Sequence, residues 1–274
     1  MHTDPATGGY DRAALLRAYD EQLRTDAETP GALDVARLGP LRLVTLAGGR
    51  GFVTYQDLDG ADAVTIRDWV GQVLDHYRDN EEILRVEWKT RGHDHAPGLH
   101  EALAEHGFVA EEPESIMVGP ATGLVAELPL PEGVTLRRLT EESDIRAMTT
   151  MAESVFGDPP DQQRADSIAK AVLLRIGRGD LIELWVAEAG GTMISAGRLE
   201  PVAGTDFAGV WGGATLPQWR GQGIYRALTA ERARAALRLG KTLIHSDSTE
   251  YSRPILERSG LVKVSTTTPY LWSR

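Results

Sequence analysis

The sequence predicts a mixed α/β fold made of two halves with a similar order of elements. Its 274 residues are 42% hydrophobic and 25% charged, which suits two globular domains. In the second half, a strand-like run at 207–215 leads through a glycine turn into an amphipathic helix that ends at Gly240. Both halves show the order strand, helix, strand, short helix, Gly-apolar pair, strand, with Gly107-Phe108 matching Gly260-Leu261. These observations predict an internal repeat.

The first half starts with an amphipathic helix from Asp11, followed by a hairpin whose turn is Ala47 to Arg50. Hydrophobic periodicity predicts the rest: strands at 41–46 and 51–56, a helix at 61–78, a strand at 83–88, a short helix at 99–108 and a strand at 115–118. Three prolines between Gly119 and Gly133 indicate a linker, so we expect domains at 1–125 and 130–274.

The second half repeats these signals with more helix. The patterns predict a strand at 134–139, helices at 140–156 and 162–178, a hairpin of 184–188 with 193–200, a strand at 242–248 and a short helix at 252–258. A closing strand follows Leu261.

The turn between the strand at 207–215 and its helix has the composition of an anion site. Gly221 and Gly223 lack a Cβ, so successive N–H groups can point at one anion, which the helix N-terminus also favours. A dinucleotide-binding turn needs a third glycine where Arg226 stands, and a Walker loop needs Gly-Lys-Ser/Thr. A purely structural glycine turn is the remaining alternative.

The pattern Gln218-x-x-Gly221-x-Gly223 resembles the acyl-coenzyme A (CoA) binding motif of the GCN5-related N-acetyltransferase (GNAT) superfamily. The resemblance implies two GNAT-like domains, each a mixed, mostly antiparallel twisted sheet flanked by helices, with acetyl-CoA as acyl donor. The residues it places around the CoA are Ala214, Thr215, Gln218, Trp219, Arg220, Gly221, Gln222, Gly223, Ile224 and Tyr225.

The corresponding position of the first half carries Asp57, Asp59 and Gly60. Because these carboxylates would repel a phosphate, we expect a degenerate GNAT-like domain without a CoA loop. One silent half beside one complete half resembles the arrangement of tandem-domain acetyltransferases.

Catalytic residues are less clearly marked. The family's frequent general acid is a tyrosine four residues before the closing glycine, where this chain has Leu256, so the nearby Tyr251 is the candidate acid. Glu200 and Asp206, at strand ends, are the candidate bases. Asp247 and His245 are further candidates. A wall, turn or structural role is the alternative for each of them.

Composition excludes several other classes. A formal net charge of −11 argues against binding nucleic acid, which needs many basic residues. No apolar run is long enough to span a membrane, and no secretory signal is visible. The absence of cysteine excludes disulfides, thiolate nucleophiles and Cys-bound zinc, so we expect a cytoplasmic protein. We interpret His93-Asp94-His95 as a polar loop without a distant partner, and expect no metal.

The sequence therefore predicts an N-acetyltransferase that acts on a primary amine of a small molecule by direct transfer in a ternary complex. An alkyl amine has a pKa of about 10.4, so the reaction must remove its proton. The alternatives are a non-catalytic acyl-CoA-binding or regulatory module, and acylation of a protein N-terminus or lysine.

Overall fold

The computed structural model describes residues 11–157 and 159–274, and the chain divides into two compact units, each with its own hydrophobic core. The N-terminal unit comprises Leu16–Ile116, Asp247–Glu250 and Lys263–Arg274. The C-terminal unit comprises Met117–Ser246 and Tyr251–Val262, together with the start of the first helix.

The helices and strands follow in chain order. The helices are α1 (Arg12–Leu23), α2 (Ala63–Arg78), α3 (Leu99–Glu105), α4 (Ala121–Leu124), α5 (Glu142–Phe156), α6 (Gln162–Gly177), α7 (Ile224–Arg238) and α8 (Arg253–Arg258). The strands are β1 (Asp34–Leu38), β2 (Leu41–Leu46), β3 (Arg50–Thr54), β4 (Arg85–Arg91), β5 (Val109–Ala110), β6 (Glu114–Pro120), β7 (Val134–Leu139), β8 (Glu183–Ala189), β9 (Thr192–Pro201), β10 (Phe207–Thr215), β11 (Leu243–Ser248) and β12 (Val262–Ser273).

The sheet of the N-terminal unit is mostly antiparallel. Strands β1, β2 and β3 form an antiparallel meander, β3 pairs in parallel with β4, and β12 pairs antiparallel with both β4 and β5. Helix α2 packs against this sheet because its apolar residues recur at helical spacing. Those buried residues are Ile66, Val70, Val73, Leu74 and Tyr77.

The C-terminal unit places its sheet between two helical layers. Strands β7 to β10 are antiparallel in sequence order, and β11 joins β10 in parallel. Helices α5 and α6 pack on the side of Val186, whereas α7 packs on the side of Ala187. Neighbouring strand residues point to opposite faces, so β8 contributes to both layers. The predicted mixed α/β class, with mostly antiparallel sheets flanked by helices, is confirmed.

Three features of the chain differ from the sequence-based expectations. Strand β1 was not predicted because its five residues include Asp34 and Arg37, and only Ala36 and Leu38 pack partly against the core. The predicted linker at 119–133 includes the end of β6 and helix α4, whose Ala121 and Leu124 are buried. The domain ranges 1–125 and 130–274 stay a prediction, but the compact units differ from them at the C-terminus, because the backbone of β12 pairs with β4.

A cluster of buried charges stabilises the N-terminal unit. Glu28 forms ion pairs with Arg91 and Arg42, and Lys89 donates to Asp247 at 2.7 Å. Burial raises the pKa of the Glu28 carboxyl, but the charges of Arg91 and Lys89 outweigh it and hold that pKa below its ordinary value. The carboxylate is therefore ionised at neutral pH and neutralises a guanidinium that has lost its water.

The loop of His93 also has distant partners, which corrects the expectation that it has none. The Nδ1 atom of His93 lies 2.6 Å from the Ser265 hydroxyl, and its Nε2 atom lies 3.0 Å from an oxygen of Asp20. Arg24 donates to Asp94 at 3.0 Å. These bonds tie α1, the loop after β4 and β12 together. Among the described residues, no group of three or more His, Cys, Asp or Glu side chains is arranged to hold a metal ion. No described helix has the length and apolar composition needed to cross a bilayer.

We predict that Glu28→Gln lowers the free energy of unfolding by about 3 kcal/mol at pH 7, because it leaves Arg91 buried without its counter-charge. A depressed carboxyl pKa stabilises the fold above the ordinary value of 4.5 and loses this effect as the pH falls through the depressed pKa. Urea unfolding should therefore show that the parent protein loses stability as the pH falls below 4.5, and that the stability of the variant depends less on acid pH.

The matched control for this prediction is Glu105→Gln, whose pair with Arg67 is exposed at both ends. We expect its urea midpoint to stay close to that of the parent, since exposed ion pairs contribute little. Equal midpoints for Glu28→Gln and the parent protein at pH 7 would contradict the assigned role of Glu28.

Candidate functional site

The turn between β10 and α7 is exposed and depends on two glycines. Gly221 and Gly223 adopt φ angles of 75° and 81°, a left-handed conformation that costs other residues about 1–2 kcal/mol. A Cβ atom built on either glycine would meet no atom within 4 Å. The glycines are therefore required by the backbone conformation, and the space beside them is open.

Internal hydrogen bonds fix the shape of this turn. The Arg220 side chain donates to the Thr215 carbonyl at 3.1 Å, and the Gln222 amide donates to the Gln218 carbonyl at 3.2 Å. Ile224, at the first turn of α7, is buried with 1% exposure and anchors the helix start in the core. The first N–H groups of α7 have no acceptor within the helix, and the turn residues that precede them, Gly221 to Gly223, are exposed.

Strand β10 changes its environment halfway along. Its parallel ladder with β11 comprises three residue pairs, from Phe207 with Leu243 to Gly209 with His245, although β10 continues to Thr215. The Ser246 hydroxyl donates to the Val210 carbonyl at 2.9 Å just beyond this ladder. The later part of β10 therefore presents a main-chain edge beyond the ladder, on the side away from β9.

A β-bulge occurs in the same part of β10. The register with β9 shifts between Trp211 and Ala214, and Gly212 in the bulge has a φ of 60°. A Cβ on Gly213 would lie 2.5 Å from a ring carbon of Tyr225, so the first turn of α7 packs directly on this backbone. The bulge, the turn and the helix start form one packed arrangement.

Arg232 lies buried beneath the bulge, with 1% exposure. Its guanidinium donates to the Arg198 carbonyl at 3.3 Å and to the Thr229 hydroxyl at 3.0 Å. A Cβ on Gly197 would lie 2.5 Å from its Nη1 atom, so glycine leaves the room it occupies. Burial lowers the pKa of this guanidinium, and the bonded carbonyl and hydroxyl oxygens stabilise its charge.

A pocket of about 350 Å³ opens beside Gly212, between the sheet and helices α5 and α6. Three charged residues line it: Glu153, Arg164 and Arg198. Most of its other walls are apolar, including Ile145, Met148, Phe156, Ile168, Val172 and Leu184. The size and the lining are those of a small-molecule site.

Solved structures show which fold carries this site, whereas no protein-family model and no curated protein matches the sequence. A GCN5-related N-acetyltransferase from Kribbella flavida is 16% identical, with a TM-score of 0.63 over 94% of this chain and 93% of that chain. A tandem GNAT protein from the clavulanic acid biosynthesis pathway is 14% identical, with a TM-score of 0.63 over 85% and 78%. A functionally unknown protein from Staphylococcus epidermidis is 15% identical, with a TM-score of 0.67 over 91% and 98%.

The chain has the GNAT fold. The likeness extends over most of the chain, so the predicted resemblance is confirmed for the fold, while identities this low leave the activity open. The ten residues predicted to bind CoA lie in one continuous segment of this GNAT fold, from the end of β10 to the first turn of α7. Ala214 and Ile224 are each only 1% exposed, so their side chains are not available to a ligand.

The structure separates the two predicted bases. Asp206 precedes β10 and lies six residues, or about 20 Å of strand, before Gly212, which is beyond hydrogen-bond reach of the pocket. Glu200 accepts from Arg175 at 2.6 Å and from Arg198 at 2.8 Å. Burial raises the pKa of Glu200, but these two guanidinium groups outweigh it and hold the pKa below its ordinary value. A carboxylate so paired is a weak base.

The candidate acid Tyr251 and the alternative His245 belong to the C-terminal unit, whereas the alternative Asp247 belongs to the N-terminal unit, where it pairs with Lys89. Tyr251 is 92% exposed, just after β11, and Leu256 is buried in the core with 1% exposure. His245 packs edge-on against Trp211, with ring centroids 5.1 Å apart. Their catalytic roles stay predictions.

Sequence reasoning missed Arg232 and the charged residues of the pocket. Arg232 follows Leu228 by four residues, so a charge on the apolar stripe of α7 was the available signal. Glu153, Arg164 and Arg198 carried no comparable signal, because they are brought together from α5, α6 and β9.

We predict that Gly213→Ala destabilises the protein by about 1–3 kcal/mol, since the new methyl group must displace the Tyr225 ring. Thermal unfolding would measure the change. Gly177→Ala in the last turn of α6 is the control: its methyl group meets no atom within 4 Å, so we expect no loss of stability. Equal melting temperatures for Gly213→Ala and the parent would contradict the close packing of Tyr225.

Proposed function

We propose that this chain is an acyl-CoA-dependent N-acyltransferase that transfers acetyl from acetyl-CoA to the primary amine of a small molecule, directly and in a ternary complex. The observation that carries the proposal is the exposed turn with Gly221 and Gly223 at the N-terminus of α7. It follows a strand whose edge extends beyond its ladder with β11. The GNAT fold supports the same class of reaction.

The residues of the turn fit a diphosphate. Main-chain N–H groups between Gln218 and Ile224 would donate to it, and the dipole of α7 favours its negative charge. The edge of β10 beyond Val210 offers main-chain groups to an extended amide chain, in the manner of an added strand. Acetyl-CoA supplies the activated acyl thioester.

The remaining residues orient the reaction. A backbone N–H near the bulge at Gly212 would polarise the acyl carbonyl, and the pocket beside it would hold the amine in line. Tyr251 is the proposed proton donor to the departing thiolate, supported by its position just after β11, the strand that pairs in parallel with β10. We assign Glu200 a positioning role, because it holds Arg198 at the pocket.

The N-terminal unit is not proposed to bind CoA. The carboxylate of Asp62 accepts from the Thr65 N–H at 2.9 Å, so the N-terminus of α2 already has an anionic partner. Asp57 accepts from the Asp59 N–H at 2.7 Å in the preceding turn. Both carboxylates oppose a phosphate at this position.

The test of the function is thiol release. The chain has no cysteine, so a thiol reagent detects only the CoA that is freed when acetyl-CoA is mixed with a panel of small amines. Amine-dependent thiol release supports the transferase. The second candidate, a non-catalytic acyl-CoA-binding module, is favoured by the burial of Leu256 at the usual acid position. Calorimetric CoA binding without thiol release for any amine would support that module instead.

We predict that Gly221→Asp and Gly223→Asp weaken CoA binding at least a hundredfold by calorimetry. A carboxylate about 4 Å from a diphosphate costs roughly 4 kcal/mol at the protein surface. Gly204→Asp is the matched control, because Gly204 has a φ of 71° and equally open surroundings but lies in the turn before β10. It shares the backbone strain without the charge near the ligand, so its CoA affinity should equal that of the parent. Unchanged affinity in the first two variants would refute the CoA site.

We predict that Tyr251→Phe lowers kcat about a hundredfold, the contribution of a positioned acid. The side chain is almost fully exposed, so folding and CoA affinity should be unchanged. Steady-state thiol release and calorimetry measure the two quantities. A kcat equal to that of the parent would show that another group protonates the thiolate.

A further inference from the structure

The pocket beside Gly212 exposes apolar side chains at its rim. Phe156 of α5 is 61% exposed and Ile168 of α6 is 40% exposed, and both line the pocket. Covering apolar surface is favourable by about 25 cal/mol per Å², so a ligand that covers these rings and methyl groups gains from each contact. A polar ligand gains nothing there and loses its own hydration.

The charges of the pocket are already paired. Arg164 donates from Nε to both carboxylate oxygens of Glu153 at 3.0 Å, and the Asp161 N–H donates to the same carboxylate at 2.9 Å. The hydrogen bonds from Arg164 hold the pKa of Glu153 below its ordinary value. Glu153 therefore has an internal counter-charge at neutral pH.

The third charged residue of the pocket is paired as well. Arg198 donates to Glu200 at 2.8 Å, and Glu200 also pairs with Arg175. Among the described lining residues, each charged side chain is thus paired with an opposite charge of the protein. A second ammonium or a carboxylate on the ligand would be desolvated without a fresh counter-charge, which is costly.

The residue of β10 that lines the pocket is a glycine, which has no side chain. This residue, Gly212, has a φ of 60°, and the nearest atom to a Cβ built there is the Arg198 Nη1 at 3.7 Å. A ligand whose tail fills the apolar part therefore brings its head to the main chain of the bulge. The volume of about 350 Å³ holds up to about twelve non-hydrogen atoms at roughly 30 Å³ each.

We propose that the acceptor is a monoamine of up to about twelve non-hydrogen atoms with an uncharged apolar body, whose tail lies between α5 and α6 and whose nitrogen lies beside Gly212. This inference rests on the acyltransferase function proposed above. It distinguishes the acceptor from polyamines, amino acids and amino sugars, which carry further charges or hydroxyl groups along the body.

The test compares two linear amines of equal length, n-octylamine and 2-(2-ethoxyethoxy)ethylamine, which differ by two ether oxygens in place of two methylenes. Each buried methylene contributes about fourfold, so kcat/KM should be at least tenfold higher for octylamine, used below its micellar concentration. A third amine, 1,8-diaminooctane, places a second charge in the pocket and should react more slowly than octylamine.

Two variants of α6 locate the effect. Ile168→Ser removes an apolar rim residue and should lower kcat/KM for octylamine about tenfold while leaving the ether amine nearly unchanged. Leu174→Ser is the matched control, because Leu174 is 42% exposed on the same helix but does not line the pocket. It should leave both amines unchanged.

The outcomes separate this inference from the function on which it rests. Faster turnover of the ether amine or the diamine than of octylamine would overturn the acceptor class and leave the acyltransferase standing. Turnover of no amine would overturn the acyltransferase, and calorimetry with octylamine would then test the pocket alone. Octylamine binding that Ile168→Ser weakens and Leu174→Ser does not would support the apolar class, whereas equal binding by both variants, or none by the parent, would overturn it.

Discussion

The site depends on one constraint of β-structure: a strand has two hydrogen-bonding edges, and a neighbour that covers an edge leaves no room for a ligand. Strand β10 keeps β9 on one edge along most of its length. On the other edge the ladder with β11 comprises three residue pairs, ending at Gly209 with His245. The bulge, the glycine turn and Gly212 at the pocket all come after this point in the chain, and the proposed binding site requires the edge that starts there.

Glycines shape the region around the bulge, because they leave room that a side chain would fill. Glycine at 197 leaves room for the buried Arg232, glycine at 213 lets Tyr225 contact the strand, and glycine at 212 opens the strand to the pocket. Arg232 then bonds main-chain oxygen of β9, so the region around the bulge is held from beneath. A positive charge in this position carries a desolvation cost that hydrogen bonds must offset, which makes the arrangement sensitive to small changes.

The two units use charge in different ways. In the N-terminal unit, Glu28 and Arg91 are buried partners, and Asp62 occupies the N-terminus of α2 with its own carboxylate. In the C-terminal unit, the N-terminus of α7 follows Gly223, which has no side chain to cap it. Although the two halves have similar orders of elements, the N-terminus of α2 is capped by a carboxylate, whereas the N-terminus of α7 is available to an anion. This difference accords with the function proposed for the second half.

The sequence by itself determined the turn and most of the elements, but not β1 and α4. The run at 207–215 specifies the strand, and Gly221 and Gly223 specify the turn that leads into the helix. Both depend on local conformational preference, which needs no distant partner. Tertiary structure alone decided the pairing of β12 with β4, the end of the β10–β11 ladder at Gly209, and the pocket with its Glu153–Arg164 pair. These features join residues far apart in the chain, and spacing along one segment carries no information about which edge a strand covers or which charge a distant side chain meets.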